Sequence, residues 1–267
     1  MTYCVGLLLD QGLVMASDSR TNAGVDDISS YSKLHVFQPA PDRVFILLAA
    51  GSLATTQEVL HRIRRDLDRA GTSAPGAYQQ SPQQPPQQLS GASLLSVDYL
   101  FEAASYIGQV SLAVQNEHGP ALRQSGVSPQ ANFLLGGQIA GQPQGLFLVY
   151  AQGNAIAASP ETPYLQIGES KFGKPVLDRF AHPALPLFDG ARLCLVSLSG
   201  TARSNLSVAP PFELALCPRD SMALSHRLKL DADSPDLVAV TRGWDESLTR
   251  AFYGLPRFSW ESDEDLA

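Results

Sequence analysis

Apolar and polar residues alternate along the first fifty positions, a pattern typical of antiparallel strands. It predicts an opening hairpin, with strands over residues 3–9 and 13–17 joined by an Asp-Gln-Gly turn. A second strand pair is predicted over residues 34–38 and 43–50. The last of these strands is apolar at almost every position, so it is expected to lie inside a sheet with both faces buried.

The pattern then changes to a helical period. Apolar positions from Leu53 to Leu67 share one helical face and predict a helix directly after a Gly-Ser turn. A second apolar stripe predicts a helix over residues 96–117. Gly136-Gly137 is expected to be a turn, and Ser234-Pro235 is expected to cap and open the last helix. The other predicted elements are strands at 132–135, 145–150, 155–158, 212–216 and 224–230, and helices at 173–180 and 191–202.

The order of these elements favours two antiparallel sheets packed face to face, with helices outside. Strands and helices come in groups and do not alternate as the βαβ units of a parallel sheet do. We therefore predict an α+β fold in one domain over residues 1–267. Residues 72–92 are rich in Pro and Gln and are expected to be a flexible surface insertion, and the acidic residues 261–267 are expected to be frayed.

Charge and composition exclude several classes of function. The 267 residues carry a net charge of −7, which argues against a protein that neutralises nucleic-acid phosphates. No stretch approaches the roughly 18 apolar residues that a membrane-spanning helix needs. The 3 cysteines and 5 histidines show no disulfide or metal-ligand pattern, so no metal and no cofactor is predicted. The N-terminus lacks the features of a secretory signal, which predicts a cytoplasmic protein.

The second residue carries two groups that can act together in nucleophilic catalysis. Removal of Met1 is expected before a small side chain, and it would leave Thr2 with a free α-amine beside its own hydroxyl. A hydroxyl needs a base, and an N-terminal amine, with a pKa of about 8 in peptides, can serve as one. Many proteins begin with Met-Thr for no catalytic reason, so this pair needs support from other residues.

Three further positions can supply that support. Asp18 follows the second strand of the hairpin, so strand pairing is expected to bring it close to Thr2. A lysine near that carboxylate, for which Lys33 is the candidate, would be held charged and would lower the pKa of the amine. Gly51 lies between an apolar strand and a helix and could offer a backbone N–H to an oxyanion. Taken singly, these residues are better explained as a turn cap, a surface charge and an ordinary strand-to-helix turn.

Several sequence stretches occur together, in order, in a known family. They are T-Y-C-V-G-L-L-L-D at 2–10, A-S-D-S-R-T-N-A-G at 16–24, K-L-H-V-F at 33–37, A-A-G-S-L-A at 49–54, L-G-G-Q-I at 135–139, A-A-S-P-E-T-P at 157–163, Q-I-G-E-S-K-F-G-K-P-V-L-D-R at 166–179, R-S-N-L-S-V at 203–208 and G-L-P-R-F-S-W at 254–260. Together they span nearly the whole chain outside the Pro/Gln insertion. The chain resembles proteasome β-type subunits, and most closely their bacterial Anbu branch.

The resemblance implies a four-layer αββα sandwich of the N-terminal-nucleophile hydrolase type. It also implies a self-compartmentalising threonine peptidase that acts on peptides or unfolded proteins. Its subunits would assemble into a homo-oligomeric ring or open spiral, and any ATPase would be a separate chain. By their matching positions, the implied site residues are Thr2 as nucleophile, Asp18 and Lys33 as its supporting pair, Gly51 as oxyanion donor, Ser170 as a serine beside the amine, and Thr21, Asn22 and Ala23 as the strand that pairs with substrate.

Two positions depart from the family pattern. Gly168-Glu169-Ser170 replaces an active-site Gly-Ser-Gly, and Ser199 stands where an acidic residue is expected to help orient the threonine. Two alternatives therefore stay open. One is an amidase of the same fold that acts on a small amide, and the other is a non-catalytic ring with a decayed site.

Overall fold

Two five-stranded antiparallel sheets form the centre of the computed structural model, which describes residues 2–22, 28–72 and 92–260. In spatial order, the first sheet contains β10 (Tyr164–Gly168), β1 (Tyr3–Leu9), β2 (Gly12–Ser17), β11 (Phe212–Pro218) and β12 (His226–Leu230). The second contains β5 (Leu34–Ala40), β6 (Arg43–Gly51), β7 (Ala131–Ile139), β8 (Gly145–Val149) and β9 (Ala155–Ala157). A separate short pair consists of β3 (Arg20–Asn22) and β4 (Ile28–Ser30).

Helices cover the outer face of each sheet. Those on the second sheet are α1 (Leu53–Thr72) and α2 (Leu100–Gln124), and those on the first are α3 (Lys174–Phe180), α4 (Leu187–Ser204) and α5 (Pro235–Tyr253). This arrangement confirms the predicted α+β class and the four-layer αββα sandwich of two antiparallel sheets flanked by helices. No helix within the described residues has both the length and the apolarity that crossing a membrane requires.

The apolar strand β6 is buried on both faces, as its sequence predicts. Phe45 and Leu47 point into the core that the second sheet shares with α1 and α2. Val44 and Ile46 point the other way, into the core between the two sheets. Because side chains alternate along a strand, a run without polar residues can fill two cores at once.

The prediction of a turn at Gly136-Gly137 is wrong, because both residues lie inside strand β7. A Cβ on Gly136 would lie 3.0 Å from the sulfur of Met15 in the facing sheet, and one on Gly137 would lie 2.3 Å from the carbonyl oxygen of Val44. The two glycines therefore allow close packing within a continuous strand. Glycine is present here because neighbouring atoms come too close for a side chain, and it does not interrupt the strand.

Several element boundaries differ from the sequence prediction. Helix α2 begins at Leu100 rather than 96, where Glu102 accepts the N–H groups of Asp98 and Tyr99 in a capping arrangement, and it continues past Pro120. Two short strands, β4 and β10, were not predicted, and β3 was expected over residues 21–23 only from the family resemblance. Ser234 is the N-cap residue of the last helix and Pro235 lies in its first turn, as predicted, although the serine side chain makes no capping hydrogen bond there.

The final helix buries less of its apolar face than its period suggests. Leu237 is buried against the first sheet, whereas Leu248 and Phe252 are 48% and 68% exposed. Residues 73–91 of the Pro/Gln-rich insertion and the acidic tail at 261–267 lie outside the described residues. Their flexibility and the single-domain assignment therefore stay predictions.

Candidate functional site

The opening hairpin brings Asp18 to the start of the first strand, as strand pairing predicts. Cys4 pairs with Ser17 in the register of β1 and β2. One residue beyond that pair, the Tyr3 N–H donates to Asp18 Oδ1 at 3.0 Å and the Asp18 N–H donates to the Tyr3 carbonyl at 3.1 Å. These two bonds fix Asp18 directly beside the residue that follows Thr2.

Lys33 completes a buried ion pair with this carboxylate. Its Nζ lies 2.6 Å from Asp18 Oδ1 and donates to the Arg20 carbonyl at 2.6 Å. The two charged side chains are only 8% and 0% exposed. Burial raises the pKa of the Asp18 carboxyl, while the Lys33 ammonium and the Tyr3 N–H oppose that rise. A buried charge without its partner is costly, so each of the two ions depends on the other.

The backbone of Lys33 is held by a residue that no sequence motif singles out. Glu213 lies on β11 and is almost fully buried; its Oε2 accepts the Lys33 N–H at 3.2 Å and the Ser32 hydroxyl at 2.9 Å. The Lys33 carbonyl accepts the N–H of Ala49 at 3.1 Å. The lysine is thereby attached to both sheets, which fixes the direction of its side chain.

Thr2, Lys33 and Gly51 line one cavity of about 310 Å³. Gly51 ends β6 with a φ of +119°, a conformation that side chains other than glycine rarely adopt. A Cβ at this position would also lie 2.3 Å from the Gln130 carbonyl oxygen. The turn between the strand and α1 therefore requires glycine at the point where the chain faces Thr2.

The strand β3 borders the same cavity through Thr21. The three-residue strand pairs antiparallel with β4, with Thr21 opposite Ser29. Of the other two residues expected to pair with substrate, Asn22 is described by its backbone alone and Ala23 lies outside the described residues. Their role therefore stays a prediction.

A second set of contacts fixes the carbonyl of Thr2. The Glu169 N–H donates to that carbonyl oxygen at 2.7 Å, and the Glu169 carboxylate accepts the Asn205 side-chain amide at 2.9 Å. Gly168 has a φ of +84°, and a Cβ there would lie 1.9 Å from the Thr2 oxygen. In the sequence, Gly168-Glu169-Ser170 stands out only as a departure from a family pattern, and nothing there indicates its contact with Thr2.

Neither of the two serines singled out from the sequence is among the residues that line this cavity. Ser170 is not among the residues lining the cavity beside Thr2, and its carbonyl accepts the N–H of Lys174 at the start of α3. Ser199 lies on the side of α4 that faces α5, with its Oγ 3.4 Å from the Thr241 hydroxyl. The α4 hydroxyl that points toward β1 belongs to Ser197, at 2.7 Å from the Tyr3 hydroxyl.

The four-layer sandwich, with residue 2 at the start of a central strand, is the fold of the N-terminal-nucleophile hydrolases. Among solved structures, the chain is similar to Anbu (ancestral β-subunit) from Yersinia bercovieri, with 39% identity, a TM-score of 0.82 and coverage of 96% of this chain and 99% of that one. The chain belongs to the Anbu family of proteasome-like proteins.

Two further structures of the family are similar over the same extent. The Anbu complex from Pseudomonas aeruginosa, described as a helical assembly, has 37% identity and a TM-score of 0.84, with 97% of this chain and 98% of that chain covered. A Gly-1 mutant of Anbu from Hyphomicrobium sp. strain MC1 has 35% identity and a TM-score of 0.83, with 97% and 100% covered. No protein-family model and no curated protein matches the sequence.

Proposed function

We propose that the chain is a threonine peptidase in which Thr2, exposed by removal of Met1, is the nucleophile. The observation that carries this proposal is the buried pair of Lys33 and Asp18, which is bonded to the backbone of Tyr3 and whose lysine lines the same cavity as Thr2. A buried ion pair contributes little net stability. The position of the Lys33–Asp18 pair next to the hydroxyl and α-amine of Thr2 suits it to activate that residue as a nucleophile.

In the first step, Thr2 Oγ attacks the carbonyl carbon of the substrate while the α-amine of the same residue takes the hydroxyl proton. The charge of Lys33 lowers the pKa of that amine, so that it is a free base near neutral pH, and stabilises the developing alkoxide. Asp18 holds the lysine charged and in place. The amine then passes the proton to the leaving amine of the substrate.

The attacked carbonyl oxygen becomes an oxyanion, for which we assign the backbone N–H of Gly51 as a donor. One such donor is worth about 10²- to 10³-fold in rate. A water molecule then hydrolyses the ester on Thr2 Oγ and restores the enzyme. Extended substrate would pair with the backbone of β3 at Thr21 to Ala23. Ser170 keeps a supporting role beside the amine in this proposal, through the segment that Glu169 attaches to Thr2.

The substrate class that fits this chemistry is a peptide or an unfolded protein. The helical assembly described for the Pseudomonas aeruginosa relative supports a homo-oligomeric ring or open spiral for this chain too. Each copy in such an assembly would carry its own threonine site. Any unfolding of folded substrates would need a separate ATPase. Ser199 faces α5, so its lack of a carboxylate gives no reason to assign a decayed site.

The test is cleavage of peptide amides that release a fluorescent amine, measured on the purified protein beside a panel of small non-peptide amides. We expect peptide cleavage that Thr2→Ala abolishes and that Thr2→Ser retains in part, because serine keeps the hydroxyl beside the amine. Ser199→Ala is the matched control and is expected to behave as the unchanged protein. Cleavage by Thr2→Ala at the original rate would disprove the nucleophile, and a strong preference for small amides would make the chain an amidase.

A further inference from the structure

The cavity beside Thr2 carries positive charge with no carboxylate in its wall. Its basic lining residues are Lys33, His35, His61 and Arg64, and neither Asp nor Glu is among the described residues that line it. The ammonium of Lys33 is already paired with Asp18 behind the wall. The charge left over therefore lies on the side formed by β5 and helix α1.

Arg64 is the source of that charge. Two neighbouring arginines of α1 are neutralised, since Arg62 pairs with Glu58 and with a glutamate of α2, and Arg65 pairs with Asp66. To the residues that the structure describes, the guanidinium of Arg64 makes neither a hydrogen bond nor an ion pair. A guanidinium at the mouth of a partly enclosed cavity, without a counter-ion of its own, is a ready site for a carboxylate.

The pKa of His35, which also lines the cavity, is lowered by burial and in part by the positive charge of Arg64. Burial, Arg64 and Arg227 together lower the pKa of this imidazole to about 4, against a hydrogen bond to the backbone of Ser32 that acts in the other direction. His35 is therefore neutral at physiological pH and adds no positive charge of its own. An anion in the cavity would meet the field of Arg64 and a neutral ring.

The rest of the wall suits a short aliphatic stem. Ala49, Ala50, Leu53 and Leu60 supply apolar surface between Thr2 and the outer arginine. The substrate residue that contributes the attacked carbonyl has its side chain two bonds from the carbon that Thr2 attacks. Its side chain is therefore the one that enters a cavity touching both Thr2 and Gly51.

We propose that this cavity selects an acidic residue, Glu or Asp, on the acyl side of the bond that is cleaved, and that Arg64 determines the selection. The inference rests on the proposed peptidase function for its position in the reaction. The selection itself is a property of binding and does not depend on turnover. Apolar methylenes of the substrate residue would contact the alanine and leucine surface while its carboxylate reaches the guanidinium.

The experiment compares acetylated tripeptides whose last residue is joined to a fluorescent amine through the amide bond that is cleaved. The peptides differ only in that last residue, which is Glu, Leu, Lys or Gln, and Gln is the neutral isostere of Glu. We expect the unchanged protein to cleave the Glu peptide at least about tenfold faster than the Gln peptide, measured as kcat/KM, since a single well-placed charged contact is worth about that factor. Arg64→Gln is expected to remove the Glu preference, so that the ratio of kcat/KM for the Glu and Gln peptides falls to about one. Arg64→Glu is expected to shift the preference to the Lys peptide.

Arg65→Gln is the matched control, because it removes a cation from the next position of the same helix, where Asp66 already pairs with it. It is expected to keep the Glu preference. A Glu-to-Gln ratio near one in the unchanged protein, or a ratio that Arg64→Gln leaves intact, would overturn the inference.

Binding separates a failure of this inference from a failure of the peptidase proposal. The Thr2→Ala protein is titrated with the same peptides ending in a plain amide, and the dissociation constants are read by calorimetry. Tighter binding of the Glu peptide that Arg64→Gln abolishes supports the inference even if the unchanged protein cleaves nothing. Equal binding of the Glu and Gln peptides overturns it whether or not cleavage occurs.

Discussion

Asp18 Oδ1 accepts two hydrogen bonds, one from Lys33 Nζ at 2.6 Å and one from the Tyr3 N–H at 3.0 Å. A single carboxylate oxygen thus joins a side chain from the segment between β4 and β5 to the backbone directly after Thr2. The position of the ammonium relative to residue 2 is therefore set by the start of β1 itself.

Removing the lysine tests how far the buried pair depends on both ions. Lys33→Met leaves the buried Asp18 without its counter-ion, and we expect a loss of about 3–5 kcal/mol in the free energy of unfolding, measured by urea denaturation. Lys174→Met is the control, because Lys174 and Asp178 are about half exposed, and it is expected to cost less than about 1 kcal/mol. The double change Asp18→Asn with Lys33→Met is expected to recover much of the stability but no activity. Equal losses for the two lysine variants would contradict this account.

Glycine at position 51 is predicted to be required by backbone geometry. Gly51→Ala places a Cβ on a residue with a φ of +119° and against the Gln130 carbonyl, so we expect a loss of about 2 kcal/mol or more in unfolding free energy. Gly200→Ala is the matched change, because a Cβ there meets open space on helix α4, and it is expected to gain up to about 1 kcal/mol. Thermal or urea denaturation of both variants decides the matter. A neutral Gly51→Ala would mean that the turn relaxes freely.

His35 is predicted to make the stability of the protein depend on pH. Its folded-state pKa of about 4 lies below the ordinary value of 6.5, so between these values the unfolded chain binds the proton more readily. The stabilisation is complete above pH 6.5 and is lost as the pH falls towards 4, by at most about 3 kcal/mol before solvent screening. His35→Asn is expected to flatten this part of the curve of unfolding free energy against pH. Parallel curves for the two proteins would refute the assignment.

The contacts of Glu169 are predicted to affect kcat, whereas the side chain at position 199 is predicted not to affect it. Asn205→Ala removes the amide that holds the Glu169 carboxylate, whose backbone N–H holds the Thr2 carbonyl. We expect kcat to fall by about 10- to 100-fold through misplacement of Thr2, with little change in KM. Ser199→Asp places a carboxylate next to Thr241 on α5 and is expected to leave kcat unchanged. The reverse order of effects would return the orienting role to position 199.

The fold was predictable because its strongest sequence signals are also its physical causes. The strand at 43–50 is apolar on both faces because it fills two cores, and the Asp-Gln-Gly turn sets the register that brings Asp18 beside Tyr3. The Gly136-Gly137 turn failed for the opposite reason. Glycine is needed there for the approach of Met15 from the other sheet, and such a long-range contact leaves no local signal.

Part of the candidate site was equally beyond the reach of sequence reasoning. The resemblance placed Thr2, Lys33 and Gly51, which the structure brings to one cavity. Glu213 and Asn205 act through hydrogen bonds that join segments about 180 and 36 residues apart in the chain. Nothing in their spacing points to such contacts. Ser199 shows the converse, because its position in the chain suggested a role near Thr2 and its side of the helix gives it another neighbour.

The most direct test of the account is the intact mass of the protein before and after reaction with a peptide epoxyketone, followed by peptide mapping. This reagent needs an amine and a hydroxyl on the same residue to form its stable ring adduct. We expect a protein that lacks Met1 and gains one adduct on Thr2, with none on Thr2→Ala and a slower reaction for Lys33→Met. A mature protein that keeps Met1, or an adduct on another residue, would contradict the claim that Thr2 and its own amine act as one catalytic unit.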